Sequence, residues 1–164
     1  MLDPIMVLDE MLQSRPEQVG RTLQATCAAV RKAAPHACEH IFENYVIGAV
    51  FTFTGKLGGA FCHPVAYAGH VNLGFNRGVE LADPKGLLEG TGKLIRHLRV
   101  DGPATLRQRA VRDLIGQAGA QGLALANHSG VVPRVVTDPA TRDAAKVGAR
   151  RSGRAAKGKA AAKK

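Results

Sequence analysis

The stretch from residue 39 to residue 76 constrains the fold more than any other part of the chain. It is rich in β-branched and aromatic residues, which favour pleated strands, and its turn signals at 54–59 and 68–69 are short. Short connections force antiparallel pairing, because a parallel pair needs a crossover of a dozen or more residues. The pattern predicts an antiparallel sheet with strands near residues 39–44, 46–54, 59–67, 70–76 and 94–100.

An amphipathic helix is predicted on each side of this sheet in the sequence. The first is expected to begin at a capping box, Ser14 to Glu17, with Pro16 just inside it, and to end at about Ala34, before Pro35. Its apolar face is Val19, Leu23, Cys27, Val30 and Ala34. The second is expected to be capped by residues 101–103. Its apolar stripe is Leu106, Ala110, Val111, Leu114, Ile115 and Ala118.

Two amphipathic helices that bracket an antiparallel sheet predict an α+β fold, a two-layer sandwich in which each layer buries the apolar face of the other. We expect an N-terminal helix, a curved sheet of about five strands, a C-terminal helix and a disordered basic tail. The predicted organisation is an N-terminal segment at 1–13, the α+β domain at 14–121, a linker at 122–145 and the tail at 146–164.

The net charge of +10 is concentrated at the C-terminal end. Residues 146–164 carry eight cations and no acid, which leaves +2 for residues 1–145. The eight are Lys146, Arg150, Arg151, Arg154, Lys157, Lys159, Lys163 and Lys164. Such a segment suits weak binding to nucleic acid or another polyanion without sequence reading, with a log–log salt slope of about −6 to −7 if all eight meet phosphates. A tail that only keeps the protein soluble is the open alternative.

The N-terminus and the cysteines favour a cytoplasmic protein. Asp3, Asp9 and Glu10 stand where a signal peptide would need positive charge, and no apolar run approaches the length of a membrane span. The three cysteines include no CxxC pair, which argues against a disulfide framework. We therefore expect no membrane partner, and we expect each cysteine to act as a small buried hydrophobe.

The segment from Leu87 to Lys93 looks at first like a phosphate-binding loop, because glycines let backbone amides approach an anion and a lysine adds charge. A P-loop, however, needs glycine in place of Leu87 and Ser or Thr in place of Leu94. We predict instead a one-turn helix around Leu87-Leu88 and a turn that leads into an edge strand.

The chain is predicted not to be an enzyme. GxSxG, HExxH and GxGxxG motifs are missing. Cys62 and His63 are neighbours, so on a strand their side chains point to opposite sides of the sheet and cannot activate each other.

A polar patch is predicted where two strands are expected to meet. His70 and Asn72 share one strand face, as do His97 and Arg99 on another, so pairing of the two strands would join them. The candidate ligand-binding residues are His70, Asn72, Lys93, Arg96, His97 and Arg99. A solvated sheet face is the common alternative, and catalysis on a small metabolite by His70 and His97 is a further one.

Metal-ligand residue types recur from residue 36 onward, but the tight paired spacing of zinc sites is absent. We therefore expect no cofactor. Weak iron binding through carboxylates and histidines is kept as an alternative. Its candidate ligands are Glu39, His40, Glu43, His63 and His70.

The chain resembles the YdhG-like domains, small bacterial proteins mostly of unknown function, over about residues 17–121. Three segments carry the resemblance: residues 33–35 with Glu39, residues 70–75, and residues 87–93 leading to Arg96 and His97. The resemblance implies a frataxin-like fold. It also implies iron handling or iron–sulfur assembly, which in frataxin-type proteins uses an acidic ridge on the first helix. Here that helix presents Arg21, Arg31 and Lys32, and its one acid is Glu17.

Overall fold

The computed structural model describes residues 3–128 and 137–139 and has the α+β architecture that the sequence predicts. Its helices are α1 (Pro4–Leu12), α2 (Glu17–Ala33), α3 (Pro103–Arg107) and α4 (Arg109–His128). Its strands are β1 (Cys38–Glu43), β2 (Ile47–Thr52), β3 (Ala60–Ala66), β4 (Val71–Phe75), β5 (Arg96–Val100) and β6 (Thr137–Pro139). The predicted tail at 146–164 and most of the linker lie outside the described residues.

Five antiparallel strands form the main sheet, in the order β5-β4-β3-β2-β1. Every predicted strand boundary lies within two residues of the observed one. Short connections join β1 to β2, β2 to β3 and β3 to β4 as hairpins, whereas the longer segment 76–95 joins β4 to β5. The short β6 adds a parallel pairing to β1, which the sequence did not predict. It falls within the predicted linker.

The helices and one face of the sheet share a single buried cluster. From α2 it receives the predicted stripe, with Leu23, Cys27 and Val30 fully buried. The strands contribute Ile41, Ile47, Ala49, Phe51, Cys62, Val71, Leu73, Phe75, Leu98 and Val100. Full burial of a side chain such as Leu23 contributes about 1.5–3 kcal/mol, so this face holds the two layers together.

Helix α1 lies in the predicted N-terminal segment, where no helix was expected from the sequence. Asp3 caps it by accepting a hydrogen bond of 2.9 Å from the Ile5 amide, and Pro4 begins the first turn. Leu8 and Leu12 are buried in the core cluster, and Gly20 of α2 lies against Leu12. The N-terminal segment therefore belongs to the folded unit.

The predicted capping box of α2 is wrong. Ser14 donates a hydrogen bond of 3.0 Å to the Met11 carbonyl at the end of α1, and α2 begins after Pro16 without a side-chain cap. The second predicted helix does begin at residues 101–103, with Gly102 as the N-cap residue and Pro103 in the first turn. It is divided at Gln108 into the short α3 and the long α4, which the sequence did not predict.

Helix α4 continues past Gly122 to His128, beyond the end that the glycines suggested. A Cβ at residue 122 would lie 2.5 Å from Cδ1 of Phe61, so glycine permits the close approach of helix and sheet there. Phe61 faces the helices because of a β-bulge. Phe51 pairs with Cys62 and Thr52 pairs with Ala60, which leaves Phe61 as the extra residue.

The predicted one-turn helix around residues 87–88 is also wrong. The amides of Leu87 and Leu88 instead donate hydrogen bonds of 2.9 and 2.8 Å to the Asp83 carboxylate, which satisfies them without a helical turn. The single-turn 3₁₀ helix of this region lies earlier, at Gly78–Glu80. Among the described helices, none is long and apolar enough to cross a membrane.

Candidate functional site

The side of the sheet opposite the helices is called here the open face. Because side chains alternate along a strand, its residues are those out of phase with the core set. They are His40, Phe42, Gly48, Val50, His63, Val65, Asn72, Gly74, His97 and Arg99. Six of the ten are half-buried, Gly48, Val65 and Gly74 are buried, and Arg99 is exposed. The open face is therefore a partly accessible surface whose exposed charge is Arg99.

The strand register arranges these residues in two neighbouring rows. One row crosses all five strands as Phe42, Gly48, Val65, Asn72 and Arg99, each directly opposite the next. The other contains His40 opposite Val50, and His63 opposite Gly74, which lies opposite His97. In the first row Phe42 and Val65 are apolar and Asn72 and Arg99 are polar, so the polar side chains lie toward β5.

Two rings lie on this surface, each over a glycine. A Cβ at Gly74 would be 2.2, 2.5 and 2.6 Å from Nε2, Cε1 and Cδ2 of His63. A ring pointing its edge at the glycine would hold the two neighbouring atoms much farther away than Nε2, so the imidazole lies face-on. The ring of Phe42 lies over Gly48, with Cζ and Cε1 at 2.9 and 3.2 Å from the position that a Cβ would take. The second face of the His63 ring points away from the sheet.

His63 is fixed in this position by Asn76, whose Oδ1 lies 2.9 Å from Nδ1. Burial lowers the pKa of His63, the Asn76 hydrogen bond raises it, and the neighbouring His97 lowers it further. The pKa of His63 is lowered overall, so its ring is neutral at neutral pH and offers a flat, uncharged aromatic surface.

The strands that carry the predicted polar patch do pair. Asn72 lies directly opposite Arg99, and His97 follows on the same face of β5. Arg99 donates to the Asp101 carboxylate at 3.2 Å, and His97 Nε2 lies 3.8 Å from the Glu89 carboxylate. These charges make the β5 edge the polar end of the open face.

His70 lies at the end of the open face, one residue before β4. Its ring stacks on Tyr67, with centroids 4.7 Å apart and planes 9° apart. His70 and Arg99 both line a small cavity of about 60 Å³ that also touches Thr22 of α2. His97 lies about 14 Å farther along the strands, since four residues separate it from the level of His70. The two histidines proposed for catalysis therefore do not converge.

Lys93 and Arg96, the other two candidate ligand residues, lie apart from the patch. Lys93 is exposed in the loop before β5. Arg96 is out of phase with His97, and its guanidinium donates hydrogen bonds of 2.6 and 2.7 Å to the Gly92 and Ile95 carbonyls. Arg96 thus holds the loop in shape. The loop leads into an edge strand, as the sequence predicts, and Glu89 makes an isolated bridge to His97.

The five candidate iron ligands lie on both faces of the sheet. His40 and His63 belong to the open face, whereas Glu39 points to the helices, in phase with Ile41 and Glu43. Within residues 3–128 and 137–139, no group of three or more His, Cys, Asp or Glu side chains is placed to hold a metal ion. The iron hypothesis stays a prediction.

Glu39 has a structural role that was not predicted from the sequence. It is buried in the core, where Arg31 of α2 donates two hydrogen bonds of 2.7 Å to its two carboxylate oxygens. Cys27 and Cys62 are buried nearby. Desolvation and the Glu39 charge raise the pKa of both thiols, although Arg31 lowers that of Cys27. These two cysteines are therefore inert hydrophobes, as predicted. The spacing of Arg31 and Glu39 across a helix–strand turn was the available signal.

The predicted nucleic-acid-binding residues, Lys146 to Lys164, lie outside the described residues. The sequence did not predict the aromatic members of the open face. Phe42 and His63 lie over glycines because of the register in which the strands pair, and the sequence alone does not give that register. The one indication in the sequence was that Phe42 alternates with the apolar Ile41, which places the two side chains on opposite faces of the strand.

Comparison of the chain with family models, curated proteins and solved structures finds no match. The YdhG-like resemblance therefore stays a prediction.

Proposed function

We propose that this protein is a non-catalytic, cytoplasmic YdhG-like module that binds nucleic acid. In this proposal the open face is the ligand surface, and the basic segment at 146–164 adds weak, sequence-independent affinity. The observation that carries it is the row from Phe42 to Arg99, which sets apolar, aromatic, amide and guanidinium groups side by side on one accessible surface.

The charge distribution supports nucleic acid over other ligands. The eight cations of 146–164 stand on a body of only +2, so they act as a local polycation. Phosphate backbones bind such segments through counterion release, which needs no fixed geometry. On the body, Arg99 is the exposed cation of the open face, and a guanidinium suits a phosphate better than a point charge does.

A salt titration of nucleic-acid binding tests this proposal. Three proteins are compared: the full chain, a chain ending at Asp143, and a full-length chain with the eight tail cations changed to Gln. The full chain should bind more tightly than both variants, with a log–log slope of up to about −6 to −7 that becomes shallow in both. Equal affinity and equal slope for the three proteins would contradict the tail's role.

The protein as purified separates this proposal from the iron hypothesis. Nucleic acid that copurifies absorbs near 260 nm, whereas bound iron is found by elemental analysis. We expect excess absorbance near 260 nm that high salt removes, and iron far below one atom per chain. Stoichiometric iron without that absorbance would favour the iron-binding alternative.

A further inference from the structure

The flat rings on the open face are suited to stacking. Aromatic and imidazole rings bind nucleobases by offering one planar face, at about 1–3 kcal/mol per base. The imidazole of His63 presses one face on Gly74 and leaves the other directed away from the sheet, and the ring of Phe42 lies over Gly48 on the same surface. These two rings are called the platforms. They belong to β1 and β3, which are two strands apart in the sheet, and their levels differ by two residues along the strands, so about 12 Å separates them. The open face therefore presents two separate stacking positions.

A third stacking position lies at the end of the open face. The stacked pair of Tyr67 and His70 is half-exposed, and a backbone hydrogen bond of 2.8 Å from the Tyr67 amide to the His70 carbonyl fixes the turn that carries it. Because the two rings already stack on each other, a base that stacks on the pair has little additional side chain to order.

One phosphate-binding group, Arg99, lies beside the platforms on the β5 side. Arg99 is exposed, and its contact with Asp101 is a surface ion pair of small energy. A phosphate can replace that contact with two parallel hydrogen bonds. Glu89 and Asp101 are the acids at this edge. A strand whose bases lie over Phe42 and His63 therefore meets its phosphate partner at β5, where Arg99 is the exposed cation of the open face.

We infer that the open face binds single-stranded nucleic acid, with bases stacked on Phe42 and His63 and a phosphate on Arg99. A duplex does not fit, because its base faces are already stacked and a broad sheet does not enter a major groove about 12 Å wide. The inference rests on the proposed function and names its substrate class. Single-stranded RNA and single-stranded DNA share this chemistry, and only a contact to the 2′-hydroxyl distinguishes them.

A tryptophan probe tests the inference in the full-length protein. The chain contains no tryptophan, so Phe42→Trp places a single indole, which can be excited selectively, on the platform. Tyr45→Trp is the matched control, because Tyr45 is 83% exposed in the turn between β1 and β2 and is outside the open face. On addition of 12-mers of oligo-dT or oligo-U, the indole fluorescence of the Phe42→Trp protein should be quenched, whereas that of the Tyr45→Trp protein should not. Equal quenching of both proteins would overturn the inference.

Competition and ring removal give the second readout. At about 0.3 M salt, where tail contacts are weakened, Phe42→Leu and His63→Ala should each bind the 12-mers at least about fivefold more weakly than the parent. Tyr45→Leu should bind like the parent. Unlabelled single strands should displace the labelled 12-mers, and the matching duplex should not. Circular dichroism checks that each variant is folded, and Phe42→Trp, which retains a ring, should restore the affinity lost in Phe42→Leu.

The outcomes separate the two proposals. If neutralising the tail weakens binding while Phe42→Leu and His63→Ala have no effect, or if duplex competes as well as single strands, the inference fails and the proposed function stands. If the full chain binds neither single strands nor duplex, both fail. Tighter binding of oligo-U than of oligo-dT would identify RNA as the preferred ligand, and the reverse would identify DNA.

Discussion

The imidazole of His63 lies flat against Gly74, the residue directly opposite it on β4, and a Cβ there would fall 2.2 Å from Nε2. Gly74→Ala should therefore push the ring outward and strain its hydrogen bond to Asn76. Since burial is the main cause of the lowered pKa of His63, that pKa should rise toward its ordinary value. NMR titration of the histidine ring protons measures it. Gly58→Ala, where a Cβ meets no atom within 4 Å, is the control and should change nothing.

The same histidine makes stability depend on pH. Because its pKa is lowered in the folded protein, the unfolded chain takes up a proton first as pH falls. Stability should then be full above about pH 6.5 and decrease below it. His63→Gln should flatten this decrease, as seen by urea unfolding at pH 7.5 and pH 5. A parent-like slope in His63→Gln would refute the assignment.

The buried pair of Arg31 and Glu39 should show a strong asymmetry. Arg31→Met leaves the buried carboxylate without its partner and should lower the free energy of unfolding by about 3–5 kcal/mol. Arg31→Met combined with Glu39→Leu should recover most of that loss, because no uncompensated charge is left in the core. Denaturant unfolding of both variants measures the difference. The exposed pair Arg109–Asp113 is the control, and Asp113→Asn should change stability by less than about 1 kcal/mol.

Two glycines of α4 should respond in opposite ways to the same substitution. Gly116→Ala meets no atom within 4 Å and should stabilise the helix by up to about 1 kcal/mol. Gly122→Ala would place its Cβ 2.5 Å from Phe61 and should destabilise the protein by about 1–3 kcal/mol. Thermal unfolding followed by circular dichroism measures both. Stabilisation by Gly122→Ala would mean that helix and sheet are not in close contact there.

Local patterns predicted the parts of the fold that depend on local physics. Alternation and short turns located the five antiparallel strands, and helical periodicity located the buried stripes of α2 and α4. The failures are tertiary. Gly122 signals a helix end, yet it is required inside the helix because Phe61 packs on it. Helix α1 was missed, although Asp3-Pro4 is a helix-start signal, because a nine-residue helix forms only when packing supports it.

The sequence predicted the polar residues of the candidate site but not the aromatic ones. The polar half followed from alternation, since His70, Asn72, His97 and Arg99 needed only the pairing of two strands. The aromatic half depended on which residue faces a glycine across a strand pair, and a one-residue change of register would reverse it. Arg96 was predicted to bind a ligand because of its charge, but its guanidinium instead donates hydrogen bonds to two carbonyls of the loop before β5.

NMR mapping of a single strand on the uniformly labelled full-length protein tests the central claim most directly. On addition of oligo-dT, shifts should concentrate on the open face, in the ring of Phe42, the methyl groups of Val50 and Val65, and the side chains of His63 and Arg99. Buried methyl groups of the helix-covered face, such as those of Leu73, should stay unchanged. Shifts confined to residues 146–164, with the open face unaffected, would contradict the account.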